Sequence, residues 1–160
     1  MIKKKVIYGC ESRGDADSPY LTRWTLLTTK RGSLYLHQFH RSDGLEQHDH
    51  PWPFWSVVLW PGYREVTPTA SQRRWPLVLA FRPATYRHRV QLLLYPCPRC
   101  SGTGTDFLTW DRVCKKCEGR CRVECPCWTV IWVGPKVREW GFFTRRGWQN
   151  WHEYFTERGC

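Results

Sequence analysis

Short apolar runs, separated by Pro, Gly and charged residues, repeat along most of the chain. Residues 20–29 are rich in β-branched and aromatic side chains, which favour a strand. A turn at 30–33 leads into a second run of the same kind at 34–40. Short strands at this spacing are typical of a β-sandwich or barrel. The further predicted strands are 55–60, 63–66, 77–81, 87–94, 128–133 and 137–143, and only 149–157 fits a helix.

Length and composition set the class of protein. A chain of 160 residues corresponds to one domain, and 41% apolar with 24% charged residues excludes wholesale disorder and a coiled coil. No stretch approaches the roughly 18 apolar residues of a membrane helix. The apolar run after Lys3, Lys4 and Lys5 is too short for a signal peptide. We therefore expect a cytoplasmic protein with no membrane partner.

The net charge is +11, and it is spread along the sequence. A basic surface of this kind is compatible with an anionic partner such as nucleic acid. It is equally compatible with a solvated surface that binds nothing. The charge therefore leaves a nucleic-acid partner as an open alternative.

Seven of the nine cysteines lie between residues 97 and 127. They include two Cys-x-x-Cys pairs, Cys97 with Cys100 and Cys114 with Cys117, separated by 13 residues. Four thiolates at this spacing can close a tetrahedron around Zn²⁺, whereas a disulfide framework spreads its cysteines along the chain. The spacing predicts a zinc site.

The residues around these pairs sharpen the prediction. Residues 97–104 fit the pattern CxxCxGxG, and 114–121 fit it with Cys121 in place of the last Gly. This segment resembles the zinc finger of DnaJ-type chaperones. Two repeats instead of the four in that family imply one zinc. The zinc could serve only to fold the segment, or the segment could also dock a partner. Cys121, Cys125 and Cys127 either extend the site or are buried core thiols.

Removing 95–127 leaves residue 94 running almost directly into the strand at 128. We therefore predict that 95–127 is a zinc-knuckle insertion in a late hairpin. Residues 1–94 and 128–160 then form the β-barrel.

Three histidines form the second candidate metal site. His48 and His50 are two residues apart, so on a strand they face the same side. A third histidine, His88, lies in a later arginine-rich segment. Three neutral imidazoles suit zinc, iron, nickel or copper. The pattern predicts that His48, His50 and His88 bind one metal ion.

The surroundings of these histidines resemble the two motifs of the cupin superfamily. Gly44 precedes the His-x-His pair and Gly62 follows it, while 83–88 fits the second motif with Thr85 in place of Gly. The chain is similar, more narrowly, to small uncharacterised cupin-like proteins of phages and bacteria. The resemblance implies an all-β fold, a small double-stranded β-helix or jelly-roll barrel, and a possible homodimer. The carboxylate ligand of the first motif falls on Trp55 and is missing.

Function is predicted from this resemblance. The superfamily contains thiol dioxygenases with three histidines, which implies a non-haem oxygenase or a related enzyme for a small-molecule substrate, using Fe²⁺ or another divalent transition metal. If the chain is phage-encoded, it would work in the host cytoplasm. The alternative is a non-catalytic binding module whose basic face and zinc insertion dock nucleic acid or a host protein.

Three charged residues are further candidates for the catalytic site. Glu65 could be a fourth ligand, a general base or part of a hairpin salt bridge. Arg64 and Arg82 could face inward and hold a substrate carboxylate or phosphate by a bidentate contact.

The remaining polar residues near the motifs are weaker candidates. Asp49 has the opposite parity to the two neighbouring histidines and should face away from them. His37 and His40 lie on an earlier predicted strand, and His40 is either an additional ligand or a packed or exposed side chain. The aromatic residues around the site are expected to fill the barrel core or, alternatively, to stack on a ligand.

Overall fold

The computed structural model describes residues 2–106 and 112–160, and nearly all of their regular structure is β. A single 3₁₀ turn, Glu11–Arg13, and one α-helix, α1 (Trp151–Arg158), are the helical segments of these ranges. In chain order the strands are β1 (Lys3–Tyr8), β2 (Pro19–Thr29), β3 (Gly32–Phe39), β4 (Gln47–His48), β5 (Phe54–Trp60), β6 (Tyr63–Val66), β7 (Ser71–Arg74), β8 (Leu79–Arg82), β9 (Arg89–Leu92), β10 (Leu94–Pro96), β11 (Arg122–Glu124), β12 (Cys127–Val133), β13 (Gly141–Thr144) and β14 (Gly147–Asn150). The prediction of an all-β protein is confirmed.

One layer of the barrel is a six-stranded antiparallel sheet. Its strand order is β1-β2-β3-β12-β5-β8. Side chains alternate across it, as the two-residue period of a strand requires. On β3, for example, His37 and Phe39 are buried while Gln38 between them is partly exposed. The alternation gives the sheet one face turned toward the barrel interior.

Two three-stranded sheets, β14-β13-β4 and β7-β6-β9, form the opposite layer. They meet where the backbone N–H of His48 donates to the carbonyl of His88 (2.8 Å) and the N–H of His88 donates back (3.0 Å). We call this contact the His48–His88 bridge. The barrel core lies between the layers, and its buried members are Leu21, Phe39, Val58, Tyr63, Val90, Leu92 and Cys127.

The predicted insertion leaves the barrel through a small antiparallel pair. β10 and β11 pair from Leu94 opposite Glu124 to Pro96 opposite Arg122. The predicted strand 87–94 is therefore divided, because β9 pairs with β6 while β10 pairs with β11. The Glu124 carboxylate accepts a hydrogen bond from the backbone N–H of Ser42 (3.0 Å), which ties the base of the insertion to the barrel. The domain boundaries stay a prediction.

The pattern of apolar residues missed three edge strands. β1, β7 and β14 are short and polar, and most of their side chains are exposed. The lysines of β1 and the arginines of β7 are charges of the kind that keep an edge strand from pairing with other chains, and they replace the apolar signal of an interior strand.

The chain after β12 also differs from the prediction. The predicted strand 137–143 begins only at Gly141, because the backbone N–H of Val137 is bound to the carbonyl of Pro51 (2.8 Å). The predicted helix starts two residues late, since β14 occupies residues 147–150. The Asn150 side chain then caps α1 by accepting a hydrogen bond from the N–H of His152 (2.9 Å).

A disulfide joins Cys10 to Cys160, across a sequence separation of 150 residues. The sequence predicts no partner for either cysteine, because no pattern near them indicates a pairing over that distance. In the fold, β1 and α1 bring the two residues together, and the backbone N–H of Glu11 donates to the carbonyl of Gly159 (3.0 Å) beside them. Within the described ranges, no helix has the length and apolar character needed to cross a membrane.

Replacing Cys10 with Ser should lower the free energy of unfolding by about 2–5 kcal/mol, because the cross-link restricts nearly the whole unfolded chain. Urea unfolding followed by tryptophan fluorescence, without reductant, measures this. Cys125→Ser, at a partly exposed free cysteine, is the control and should leave stability close to wild type. A Cys10→Ser variant as stable as the control would contradict a disulfide that stabilises the fold.

Candidate metal centres

The three predicted histidines lie together on the inner side of the barrel. The ring centroids of His48, His50 and His88 form a triangle with all three sides 5.0 Å. One ligand atom from each side chain lies within 4.8 Å of the others. The His48–His88 bridge places two of the rings on one face of the sheet. The third is positioned by a hydrogen bond from the N–H of His50 to the carbonyl of Ala84 (3.0 Å).

Burial keeps two of these imidazoles neutral. Desolvation lowers the pKa of His48 to about 4, although the carboxylate of Asp43 acts in the opposite direction. Desolvation also lowers the pKa of His50 well below its ordinary value, and the neighbouring histidines lower it further. Neutral imidazoles have a free nitrogen lone pair, which is the form that binds a metal ion.

The orientation of His88 is fixed by Glu65. The His88 Nδ1 lies 2.7 Å from a Glu65 carboxylate oxygen, and the His88 Nε2 lies 2.8 Å from the Nε2 of His50. Because an ionised carboxylate only accepts hydrogen bonds, Nδ1 carries a proton and donates a hydrogen bond to Glu65. In the neutral form of the ring, Nε2 then has its lone pair toward the other histidines. A carboxylate behind a histidine is common in metal sites, and this donor set fits a divalent transition metal.

Glu65 is the centre of a buried network. Its carboxylate also accepts hydrogen bonds from the Nε of Arg82 (2.7 Å) and the hydroxyl of Tyr86 (3.1 Å), and it contacts the guanidinium of Arg74. Burial alone would raise the pKa of Glu65, but the hydrogen bonds from His88 and Arg82 outweigh it and keep the pKa below its ordinary value. The expectation that Glu65 is a fourth ligand needs correction. Its carboxylate bonds the Nδ1 of His88, whereas the other histidines lie on the Nε2 side of that ring.

The two predicted arginines have different positions. Arg82 faces inward and is buried, but its guanidinium is bound to Glu65 and to the Ser56 hydroxyl (2.7 Å). The carboxylate that it holds is thus the protein's own. Arg64 is exposed, and the prediction that it faces inward is wrong. Its neighbours Tyr63 and Glu65 are both buried, so strand alternation turns Arg64 to the outer face.

The weaker candidates lie outside the histidine cluster. Asp49 faces away from it, as parity predicts, and accepts hydrogen bonds from the backbone N–H of Gly141 (2.8 Å) and from Arg138 (2.6 Å). The Nε2 of His40 lies 2.9 Å from the Thr22 hydroxyl. His37 is buried on the six-stranded sheet.

A cavity of about 750 Å³ opens in front of the three histidines. This is the size of a site for a small molecule. Its walls are largely aromatic, and the Phe54 ring lies 4.6 Å from that of His50. Aromatic residues near the site are predicted from the sequence, but Trp140 and Phe142 are not, because they come from β13 and the segment before it, far along the chain. The principal aromatic residues of the lining are Tyr35, Phe39, Phe54, Tyr63, Trp140 and Phe142.

The four predicted cysteine ligands form a second cluster, in the insertion. All four are buried, and the Sγ atoms are 4.0 Å apart between Cys97 and Cys114 and 3.7 Å apart between Cys100 and Cys117. Tetrahedral zinc with Zn–S bonds of about 2.3 Å requires sulfurs about 3.8 Å apart. The backbone N–H of Gly104 donates to the Cys100 Sγ (3.3 Å). The cluster fits a zinc ion.

The backbone conformation at position 104 explains why a glycine occupies it. Its φ is +83°, a left-handed conformation that places its N–H against the sulfur. Burial raises the pKa of Cys100, but the N–H groups of Gly104 and Gly102 outweigh it and lower the pKa. The thiolate, which is the form that binds zinc, is therefore favoured.

The other three cysteines of this region are not part of the cluster. Cys127 is completely buried in the barrel core, and burial raises its pKa to about 11. It is one of the core thiols that the sequence analysis allowed for. The Cys121 thiol lies near the Gly119 carbonyl (3.4 Å), and Cys125 is partly exposed.

No family model matches the sequence, and no curated protein matches it either. Solved structures do match the fold. A cupin-2 domain protein from Rhodospirillum rubrum aligns with 91% of this chain and 78% of its own, at 12% identity and a TM-score of 0.55. The polyketide cyclase RemF from Streptomyces resistomycificus aligns over 86% and 79%, at 13% identity and a TM-score of 0.53.

A third structure gives the same result. A cupin 2 conserved barrel domain protein from Rhodopseudomonas palustris aligns over 92% of this chain and 79% of its own, at 8% identity and a TM-score of 0.51. The chain therefore has the cupin fold, as its motifs predict. It carries in addition a four-cysteine cluster that fits a zinc-knuckle insertion.

Replacing Cys114 with Ser should remove about one zinc ion per chain, because three thiolates hold the ion far more weakly than four. Metal analysis by mass spectrometry measures the loss. The insertion should also become more sensitive to protease while the barrel stays folded. Cys121→Ser, outside the cluster, is the control and should keep its zinc; an unchanged zinc content in Cys114→Ser would exclude the four-thiolate site.

Replacing Glu65 with Gln should weaken metal binding at the histidines by about 10- to 100-fold, because the charge that orients His88 is lost. Competition with a chromophoric chelator measures the affinity. Glu139→Gln removes an exposed carboxylate paired with Lys136 and is the matched control. Equal metal affinity in the two variants would show that Glu65 has no effect on the site. Glu65→Gln should also unfold at lower denaturant concentration, since Arg82 is left as an unpaired buried charge.

Proposed function

We propose that this protein is a metal-dependent enzyme that acts on a small molecule in the barrel cavity. The observation that carries the proposal is the convergence of His48, His50 and His88 at the wall of a cavity of about 750 Å³. Three imidazoles leave coordination positions of a metal ion free for a ligand. A cavity of this size in front of those positions can hold one.

The residues around the site support catalysis more than structural metal binding. Structural sites are closed by four protein ligands, as at the cysteine cluster, whereas catalytic sites keep a position open. When bound, a divalent transition metal supplies a Lewis acid, and iron supplies redox chemistry as well. Glu65 accepts a hydrogen bond from the Nδ1–H of His88, and the aromatic walls give a ligand an apolar surface to pack against. The fold itself accommodates catalysis, since RemF is a polyketide cyclase.

An oxygenase is the finer form of this proposal. It is supported by three imidazoles without a carboxylate ligand, together with the resemblance of the motifs to cupins. It requires that the metal at the histidines be iron. The cavity and the three ligands suit other metals as well, so the metal found in the protein decides between oxygenase and other small-molecule chemistry.

The test is the metal content of protein purified without added metal. Wild type should hold about two metal ions per chain, one at each cluster, and the His48→Ala/His50→Ala double variant about one. His40→Ala is the matched control, because it also removes an imidazole but lies outside the cluster. The double variant should lose the metal without losing the zinc of the insertion.

Two results would change the conclusion. Equal metal content in wild type and the double variant would overturn the proposal, and a binding module that docks nucleic acid or a partner protein would then be favoured. If the lost metal is iron, oxygen consumption is the next assay. If the lost metal is zinc or nickel, the oxygenase form is excluded while a metal-dependent enzyme remains.

A further inference from the structure

A row of polar side chains crosses the wall of the cavity that belongs to the six-stranded sheet. In the strand register Lys5 on β1 lies opposite Arg23 on β2, Arg23 opposite His37 on β3, and His37 opposite Thr129 on β12. All four residues line the cavity that holds the metal-binding histidines. Lys5 is exposed and Thr129 is 1% exposed, so the row leads from the surface to the interior.

Arg23 contributes a positive charge to this row. Its Nε donates to the Nε2 of His37 (3.0 Å), and its guanidinium lies over the Tyr35 ring, 4.9 Å from the centroid. No carboxylate of residues 2–106 or 112–160 lies within ion-pair distance of it. Asp43, an acidic residue of the cavity lining, is bound instead by the Tyr20 hydroxyl and the Val90 N–H.

A half-buried cation without an anionic partner is unfavourable. Burial lowers the pKa of Arg23, but a guanidinium stays charged at neutral pH. The two terminal nitrogens of a guanidinium form a planar fork that fits a carboxylate. Arg23 can therefore bind the carboxylate of a cavity ligand, which Arg82 cannot do because its guanidinium is bound to Glu65.

His37 and Thr129 give an independent indication of a ligand. Each has a buried polar atom without a hydrogen-bond partner in the described ranges, Nδ1 in His37 and Oγ1 in Thr129. Because Nε2 of His37 accepts from Arg23, its Nδ1 carries a proton. Burial lowers the pKa of His37 to about 3, so the ring is neutral. Buried polar atoms without partners are rare, and two on register neighbours point to a missing acceptor.

We propose that Arg23, His37 and Thr129 anchor the carboxylate of a small-molecule ligand whose apolar body extends toward the three histidines. One guanidinium and two neutral groups match a single negative charge. Aromatic rings continue from the anchor into the cavity, with His37 and Phe39 6.1 Å apart and Phe39 and Tyr63 6.4 Å apart. The ligand class is thus an aryl or alkyl carboxylate. This inference rests on the proposed function, since it names the substrate class of the same cavity.

Calorimetric titration of the metal-loaded full chain with 3-phenylpropanoate and with its neutral amide, 3-phenylpropanamide, tests the proposal. The acid should bind at least about tenfold more tightly than the amide, because only the acid brings a negative charge to Arg23. In Arg23→Gln the acid should lose about 10- to 100-fold in affinity while the amide changes little. Arg64→Gln, on the outer face of β6, is the matched control and should behave as wild type.

Three results would overturn the inference: equal affinity of wild type for acid and amide, no binding of the acid at about 10 mM, or an equal loss for both compounds in Arg23→Gln. If Arg23→Gln does not fold, Arg23→Lys retains the charge and should keep the preference for the acid. A preference that is lost in Arg23→Lys, while Arg64→Gln keeps it, would contradict an anchor that acts through the charge of Arg23.

The carboxylate anchor and the proposed metal-dependent enzyme can be tested separately. Repeating the titration with His48→Ala/His50→Ala isolates the anchor from the metal. If wild type holds no metal at the histidines and still shows an Arg23-dependent preference for the acid, the anchor is supported and the proposed enzyme is rejected. A metal that is lost with the histidines, in a protein indifferent to the acid, would do the reverse.

Discussion

The buried carboxylate of Glu65 is the group on which the site depends. Removing a carboxylate from water is costly, and here the cost is offset by Arg82 from β8, Tyr86 and His88. Glu65 lies on β6, so its hydrogen bonds connect one of the small sheets to the last strand of the large one. The same contacts turn His88 so that Nε2 faces the other histidines. The same hydrogen bonds therefore hold the barrel together and orient His88, a candidate metal ligand.

The His48–His88 bridge adds a second coupling between architecture and chemistry. The two small sheets meet at this pair, and the side chains of the pair are two of the three candidate ligands. A metal ion held there would connect β4 to the segment before β9 through side chains as well as through the backbone. The two inward arginines differ in their partners: Arg82 is bound by Glu65, whereas Arg23 faces the cavity without a carboxylate partner in the described part of the chain.

Features encoded by short spacings could be predicted from the sequence. The His-x-His pair, the later His88 and the two Cys-x-x-Cys pairs are local patterns, and the structure brings both sets together. Features that depend on which strands pair could not be predicted. Glu65 reaches His88 because β6 pairs with β9, and Arg23 meets His37 and Thr129 only through the register of three strands. Arg64 illustrates the same limit, since its parity follows from Tyr63 and Glu65 being buried.

The disulfide between Cys10 and Cys160 closes residues 10–160 into a covalent ring. A single peptide-bond cut anywhere inside that ring would open it without separating the protein into two pieces. Both fragments would stay joined until the disulfide was reduced, so a nicked molecule would keep its mass in a non-reducing gel. The barrel strands on either side of the cut would also stay at high effective concentration relative to each other. The ring thus makes the fold tolerant of backbone cleavage in a way that its hydrogen bonds alone do not.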